Sequence, residues 1–172
     1  MLILDENETR IALEKELLSS RNELIVLSAF IKHNTFEWLR KQIKNTDIEV
    51  IVVARWRLDD LVAKVSDLSV YKQCQELGWT FKVDERLHAK LFLIDSSVAF
   101  VGSSNLTGAG LGLTEKSNFE LSTKIEVSDI DVGKVHKYID SCTTMTDDLY
   151  SQMKKVVDNI EHQERSGIPN KW

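Results

Sequence analysis

Apolar and polar positions along the chain switch between a helical and a two-residue period, and the switches mark out a succession of elements. Asn7 is placed to cap a first helix in which Ile11, Leu13, Leu17 and Leu18 form an apolar stripe. Glu23 to Phe30 comes next as a strand. Phe36, Trp38, Leu39 and Ile43 recur at helical spacing, and Ile48 to Ala54 is a continuous apolar run of the kind that lies centrally in a parallel sheet. Beyond Arg57 the pattern is helical again, with Ser66 as cap, Val70, Cys74 and Leu77 inside and Gly78 as the stop. Trp79 to Val83 reads as another strand.

From Leu87 to Ile94 the alternation is strict: Leu87, Ala89, Leu91 and Leu93 interleave with His88, Lys90, Phe92 and Ile94. Asp95-Ser96-Ser97 is turn-forming, and Val98 to Val101 comes at once after it, which predicts a hairpin. A Gly-rich loop runs through Gly112, a strand lies near Phe119 to Val127, and helices begin at about Asp129. Val132, Val135, Ile139 and Cys142 recur at helical spacing, as do Leu149, Met153, Val157 and Ile160. The expected fold is α/β, a mixed and largely parallel sheet flanked by helices on both faces. It occupies one domain over residues 1–164, and residues 165–172, with Gly167 and the only proline, Pro169, form a loosely held tail.

Composition narrows the class. A chain of 172 residues, 42% hydrophobic and 28% charged, is long enough to bury a core as a globular domain. No apolar run approaches bilayer length, and MLILDENETR lacks a basic region followed by an apolar stretch and cleavage site, so a cytoplasmic protein without stable membrane association is expected. Cys74 and Cys142 are too few and too far apart for a disulfide framework or metal cluster. The net charge of −5 argues against avid nonspecific binding to nucleic acid. Charge is uneven, however. Arg55, Arg57, Lys82, Arg86 and Lys90 are basic, whereas acidic residues crowd the terminal helices, a distribution compatible with a basic cleft on an acidic body.

The densest chemistry lies in RLHAKLFLIDSSVAFVGSSNLTGAG, which spaces His88, Lys90, Asp95, Gly102, Ser103 and Asn105 as H-x-K-x4-D-x6-G-S-x-N. With ordinary amino-acid usage, such a set at fixed spacing arises by chance on the order of 10⁻⁸ per start position. Strand periodicity points His88 and Lys90 the same way, and the hairpin brings Ser103 and Asn105 to them. Gly102 permits close backbone approach. A cation, an imidazole, a hydroxyl and an amide converging on one spot suit a phosphate.

The segment resembles the His-Lys-Asp signature of the phospholipase D superfamily in its GSxN variant, matching every signature position and extending loosely to Asn118-Phe119-Glu120. The resemblance implies an α/β/α sandwich and a phosphodiesterase that works through a covalent phosphohistidine at His88. Glu120 would bind the other imidazole nitrogen and fix its tautomer. Lys90, Ser103 and Asn105 would hold the nonbridging oxygens. Asp95 would be structural, closing the turn. Arg55, Arg57 and Ser104 are secondary candidates for phosphate or substrate binding, against the alternative that the arginines are solvated strand ends.

Superfamily members use a second copy of the motif to supply the general acid, and this chain has one copy. His33, His136 and His162 lack a lysine two residues on in strand context, so the resemblance implies a homodimer through the active-site face. No metal or other cofactor is implied, since a lysine supplies the positive charge. Short single-motif members resemble metal-independent endonucleases, including the catalytic domain of restriction enzymes. The expected substrate is therefore DNA, with RNA or a single strand as variants. The chain has no room for a separate recognition domain, so specificity would be intrinsic or come from a targeting partner. A lipid or small-molecule phosphodiesterase and a catalytically silent dimeric nucleic-acid-binding module remain as rival readings.

Overall fold

A computed structural model describes residues 2–166. In chain order the elements are β1 (Leu2–Asp5), α1 (Glu6–Ser19), β2 (Glu23–Ser28), α2 (His33–Gln42), β3 (Glu49–Ala54), α3 (Leu58–Val62), α4 (Ser69–Glu76), β4 (Thr80–Val83), β5 (Lys90–Ile94), β6 (Val98–Gly102), β7 (Leu121–Glu126), α5 (Asp129–Ser141), β8 (Thr143–Thr144) and α6 (Asp147–Ser166). The strands form one sheet in the order β1-β7-β6-β5-β2-β3-β4-β8. α6 runs into the segment expected to be a tail, and the rest of that segment lies outside the described residues.

The sheet is mixed, but the expectation that it is largely parallel fails. Only β2–β3 and β3–β4 run parallel; β1–β7, β7–β6, β6–β5, β5–β2 and β4–β8 run antiparallel. The physical reason is connection length. A parallel pair needs a crossover of a dozen or more residues, which α2 and the α3–α4 stretch provide, whereas β5 and β6 are joined by a tight turn that permits only an antiparallel hairpin. At that turn Asp95 and Ser96 both have positive φ, 50° and 51°, matching the twist of the strands. β1 and the short β8 add antiparallel edges beyond the expected elements; the apolar Leu2-Ile3-Leu4 run carried a signal for β1, whereas β8, Thr143–Thr144, had none.

The central strands β2 and β3 are buried on both faces, which is why ELIVLS and EVIVVA read as continuous apolar runs. Leu24 and Val26 point to a core shared with Leu13, Leu17, Phe36, Leu39, Val70, Cys74 and Val157 from α1, α2, α4 and α6. Ile25 and Leu27 point to a smaller core closed by Ile139 of α5 and by Leu87 and Cys142. Helices therefore flank both faces unequally.

Two caps differ from expectation. α1 is capped by Asp5, not Asn7: Asp5 accepts from the Asn7 and Glu8 amides at 2.9 and 2.8 Å, and the Asp5 amide donates in turn to Glu8 Oε2 at 3.0 Å. Its apolar stripe is narrower, with Leu13 and Leu17 buried while Ile11 and Leu18 are exposed. Ser66 does not cap α4; its hydroxyl accepts from the Ile31 amide at 3.2 Å. Gly78, at φ 70°, does stop that helix.

Candidate active site

The segment between β4 and β5 carries His88 to the threshold of the sheet, not into a strand as the alternation predicted. It is fixed by Leu87, a buried anchor whose amide donates to the Asp84 carbonyl at 3.0 Å. Arg57 also donates, through Nε, to the Glu85 carbonyl at 2.7 Å. His88 is exposed and precedes β5, and Lys90 is the first residue of that strand. The Lys90 ammonium nevertheless reaches back, lying 2.8 Å from the His88 carbonyl oxygen and 3.4 Å from its Nε2. If the ammonium donates to Nε2, the imidazole proton must sit on Nδ1.

The β2–β5 register sets Lys90 opposite Ser28, and Ser28 is the joint between the halves of the motif. This buried hydroxyl, the one polar residue ending an apolar strand, donates to the Phe30 carbonyl at 2.7 Å and accepts from the Leu106 amide at 2.9 Å. The loop after β6 is thereby stitched to the loop after β2. Asn105 falls beside them, with Oδ1 accepting from the Phe30 amide at 3.2 Å. That bond turns the amide so that its N–H groups are available to an anion. Ser28 is not among the residues that the sequence pattern singled out; its signal was a serine closing LIVLS.

Ser103 lies just past β6, paired to β7 through its amide and the Leu121 carbonyl at 3.0 Å. Its hydroxyl donates to Glu120 Oε2, and Glu120 Oε1 accepts from Asn118 Nδ2 at 3.0 Å. Glu120 therefore does not orient His88 within the chain, as expected from sequence; it holds Ser103. Its charge still acts on Lys90. Burial and the nearby Arg55 guanidinium push the Lys90 ammonium below its ordinary range, and Glu120 partly opposes them.

The secondary candidates divide. Arg55 is committed to a paired geometry, with Nε and Nη2 on the two oxygens of Asp60 at 2.9 and 3.2 Å and its guanidinium 4.8 Å from the centroid of the Phe30 ring. It contributes charge at a distance. Arg57 is exposed. Ser104 is buried, its hydroxyl 3.4 Å from that of Ser122, so it cannot contact substrate. Gly102 serves closeness of another kind than expected: an added Cβ would collide with the Leu121 carbonyl and with Ser122, 2.6 Å from its Cα, so the glycine admits β7. Asp95 is structural, its carboxylate collecting the amides of Arg21, Asn22 and Glu23 at 2.7–3.1 Å.

Within the chain the His88 imidazole and the Lys90 ammonium are neighbours, Asn105 lies beside Ser28, the residue opposite Lys90, and Ser103 is tied to Glu120. No group of three or more His, Cys, Asp and Glu side chains is placed to hold a metal ion among the described residues.

Residues 13–143 match the family model described as "Cardiolipin synthase, PLD-like domain". No curated protein matches the sequence. Among solved structures, NucT from Helicobacter pylori is similar at TM-score 0.59 and 14% identity, over 84% of this chain and 100% of that one. Nuc from Salmonella typhimurium, described as a phospholipase D family member, is similar at TM-score 0.62 and 14% identity, over 84% and 97%. Phosphatidylserine synthase from Haemophilus influenzae is similar at TM-score 0.69 and 14% identity, over 94% of this chain but 42% of that one.

Proposed function

This chain belongs to the phospholipase D-like family, and on that premise we propose that it is a metal-independent phosphodiesterase that cleaves DNA, with two copies completing one active site. The observation that carries the reading is the Lys90 ammonium 3.4 Å from His88 Nε2, with Asn105 beside Ser28, the residue opposite Lys90 in the neighbouring strand. A phosphoryl oxygen entering there draws Lys90 away from the ring and frees the Nε2 lone pair for attack. An N–P bond forms as the P–O bond to the leaving alkoxide breaks, and the partner subunit's His88, as imidazolium, gives that oxygen its proton. Water then loses a proton to the same imidazole as its oxygen displaces His88 from phosphorus. Lys90 and Asn105 hold the nonbridging oxygens while charge grows on them, an effect worth a few kcal/mol per donor.

Pairing is supported by an uncovered apolar strip. Ile3 and Val101 both pair with Thr123, and Leu121 lies two residues before it on the same face of the sheet. All three are exposed beyond the cover of α5, as is Phe119 at 82%. A second copy laid on this strip would bring the two His88 residues toward one another.

DNA is favoured by the likeness of the fold to NucT and Nuc, which it matches over almost the whole of their lengths. The family model's own description favours a second reading, a lipid or small phosphodiester. Purified protein incubated with plasmid and single-stranded DNA in EDTA, beside His88→Ala, decides between them. Cleavage lost in the variant, with an acid-labile phosphate on the wild-type protein, is the expected result. Hydrolysis of a model diester without DNA cleavage would favour the second reading, and hydrolysis of neither would leave a binding module.

A further inference from the structure

Strand β2 is apolar from Leu24 to Leu27 and closes on a serine that is 1% exposed. A hydroxyl buried there is costly unless its hydrogen-bonding capacity is used, and the bonds of Ser28 run to the two loops that meet at the site. Its one hydrogen goes to the Phe30 carbonyl at 2.7 Å, and its oxygen receives the Leu106 amide at 2.9 Å. The same oxygen stands 3.5 Å from Asn105 Oδ1.

These bonds open a short zipper between loops far apart in the chain. Ile31 and Leu106 form a parallel bridge, and the Lys32 amide donates to the Leu106 carbonyl at 3.0 Å. The loop after β2 is also braced from its other side, where the Ile31 amide donates to Ser66 Oγ at 3.2 Å and the Arg55 guanidinium lies 4.8 Å from the centroid of the Phe30 ring. Asn105 is therefore set against a fixed backbone, whose Phe30 amide donates to Oδ1 at 3.2 Å. A backbone N–H can only donate, so a carboxamide turned the other way would set donor against donor. Holding Phe30 in place is what keeps the Nδ2 hydrogens of Asn105 turned away from it.

The sheet completes the placement. Ser28 is the residue of β2 directly opposite Lys90 of β5, and side chains opposite one another in an antiparallel pair stand on the same face. The strand end that fixes the amide is thus locked to the strand that carries the cation. Resting on the phosphodiesterase reading above, we propose that Ser28 is a positioning residue for the reaction: through Phe30 it turns the Asn105 carboxamide so that its N–H groups meet the phosphate, and it sets that amide relative to Lys90. Buried as it is, Ser28 touches no substrate itself.

The test is a double-mutant cycle on Ser28→Ala and Asn105→Ala, with bis(p-nitrophenyl) phosphate in chelator. Ser28→Ala should lower kcat by about tenfold or more with KM within about threefold, because a misaligned donor costs most where charge develops in the transition state. Introduced into Asn105→Ala, it should cost less than about a further threefold, since the amide it acts through is gone. Losses that multiply in the double variant, or a Ser28→Ala loss below about tenfold, overturn the proposal. Should Ser28→Ala not fold, Ser28→Cys, which keeps the shape of the site with a weaker donor and acceptor, takes its place in the cycle under the same requirement of non-additivity.

A second readout needs no turnover. The side-chain NH2 resonances of Asn105, identified by their absence in Asn105→Ala, should shift when inorganic phosphate is added to the wild-type protein and should shift clearly less in the Ser28 variant. Resonances that phosphate leaves unmoved in the wild type, or moves equally in both proteins, overturn the proposal. Phosphate-shifted resonances in a wild-type protein that hydrolyses no diester overturn the enzymatic reading and leave the positioning by Ser28 standing.

Discussion

Ser103 donates its hydroxyl hydrogen to Glu120, a carboxylate only 8% exposed, and this bond, not one to His88, is what the acidic residue of the site secures within the chain. Glu120→Ala removes the acceptor of both Ser103 and Asn118. We expect kcat to fall about 10- to 100-fold, a fraction of the few kcal/mol a well-placed donor supplies, with stability lower by about 1–3 kcal/mol. Glu120→Gln, which keeps one acceptor oxygen, should recover part of both. Steady-state kinetics with a model diester and urea unfolding measure them.

Activity should fail on the alkaline side earlier than an ordinary lysine would allow. In the proposed mechanism Lys90 must be charged to hold the phosphate, and burial together with Arg55 lowers its pKa, so charge is lost as pH rises through a value below 10.5. Replacing Arg55 and Asp60 together, by Gln and Asn, removes the repulsion without stranding either partner of the pair. The alkaline limb of the kcat/KM profile should then move to higher pH; an unmoved limb would mean Lys90 does not set it.

The turn carboxylate should matter for folding and not for chemistry. Asp95→Ala withdraws the acceptor of three backbone amides from a residue at φ 50° and should cost about 2–3 kcal/mol. Measured well below its Tm, the variant should keep kcat/KM for a model diester within about threefold.

Gly102→Ala should harm both. The new methyl meets the Leu121 carbonyl and Ser122, so β6 and β7 must separate, at a cost of about 1–3 kcal/mol. Ser103, held to Leu121 through its own amide, is carried away with the strand. Thermal unfolding and diester kinetics should therefore move together, in contrast to Asp95→Ala.

The uncovered strip predicts the oligomeric state. Wild-type protein should sediment as a dimer, and Val101→Asp with Phe119→Asp should yield a monomer without diesterase activity, since like charges meet in an apolar contact. An active monomer in sedimentation and single-turnover assays would contradict two-copy catalysis.

Much of this was legible in the sequence because it is local. Two-residue alternation announced β5, continuous apolar runs announced β2 and β3, and the fixed spacing from His88 to Asn105 announced the motif, since each depends on residues close along the chain. Features that depend on burial were not legible. Ser103 and Ser104 are chemically identical neighbours, yet one faces the site and the other is packed against Ser122. Arg55 resembled a free cation until α3 delivered Asp60 to it.

By itself the sequence determined the family, the residues of the motif and nearly every element, because periodicity and turn chemistry are written residue by residue. Only the tertiary structure decided which strands are neighbours and in which direction, that Glu120 holds Ser103, and that Ser28 joins the halves of the motif. These rest on contacts between segments far apart in the chain, such as Glu6 meeting Glu120 or Arg21 meeting Asp95, and no local pattern encodes the partner of a side chain once the chain has folded back upon it.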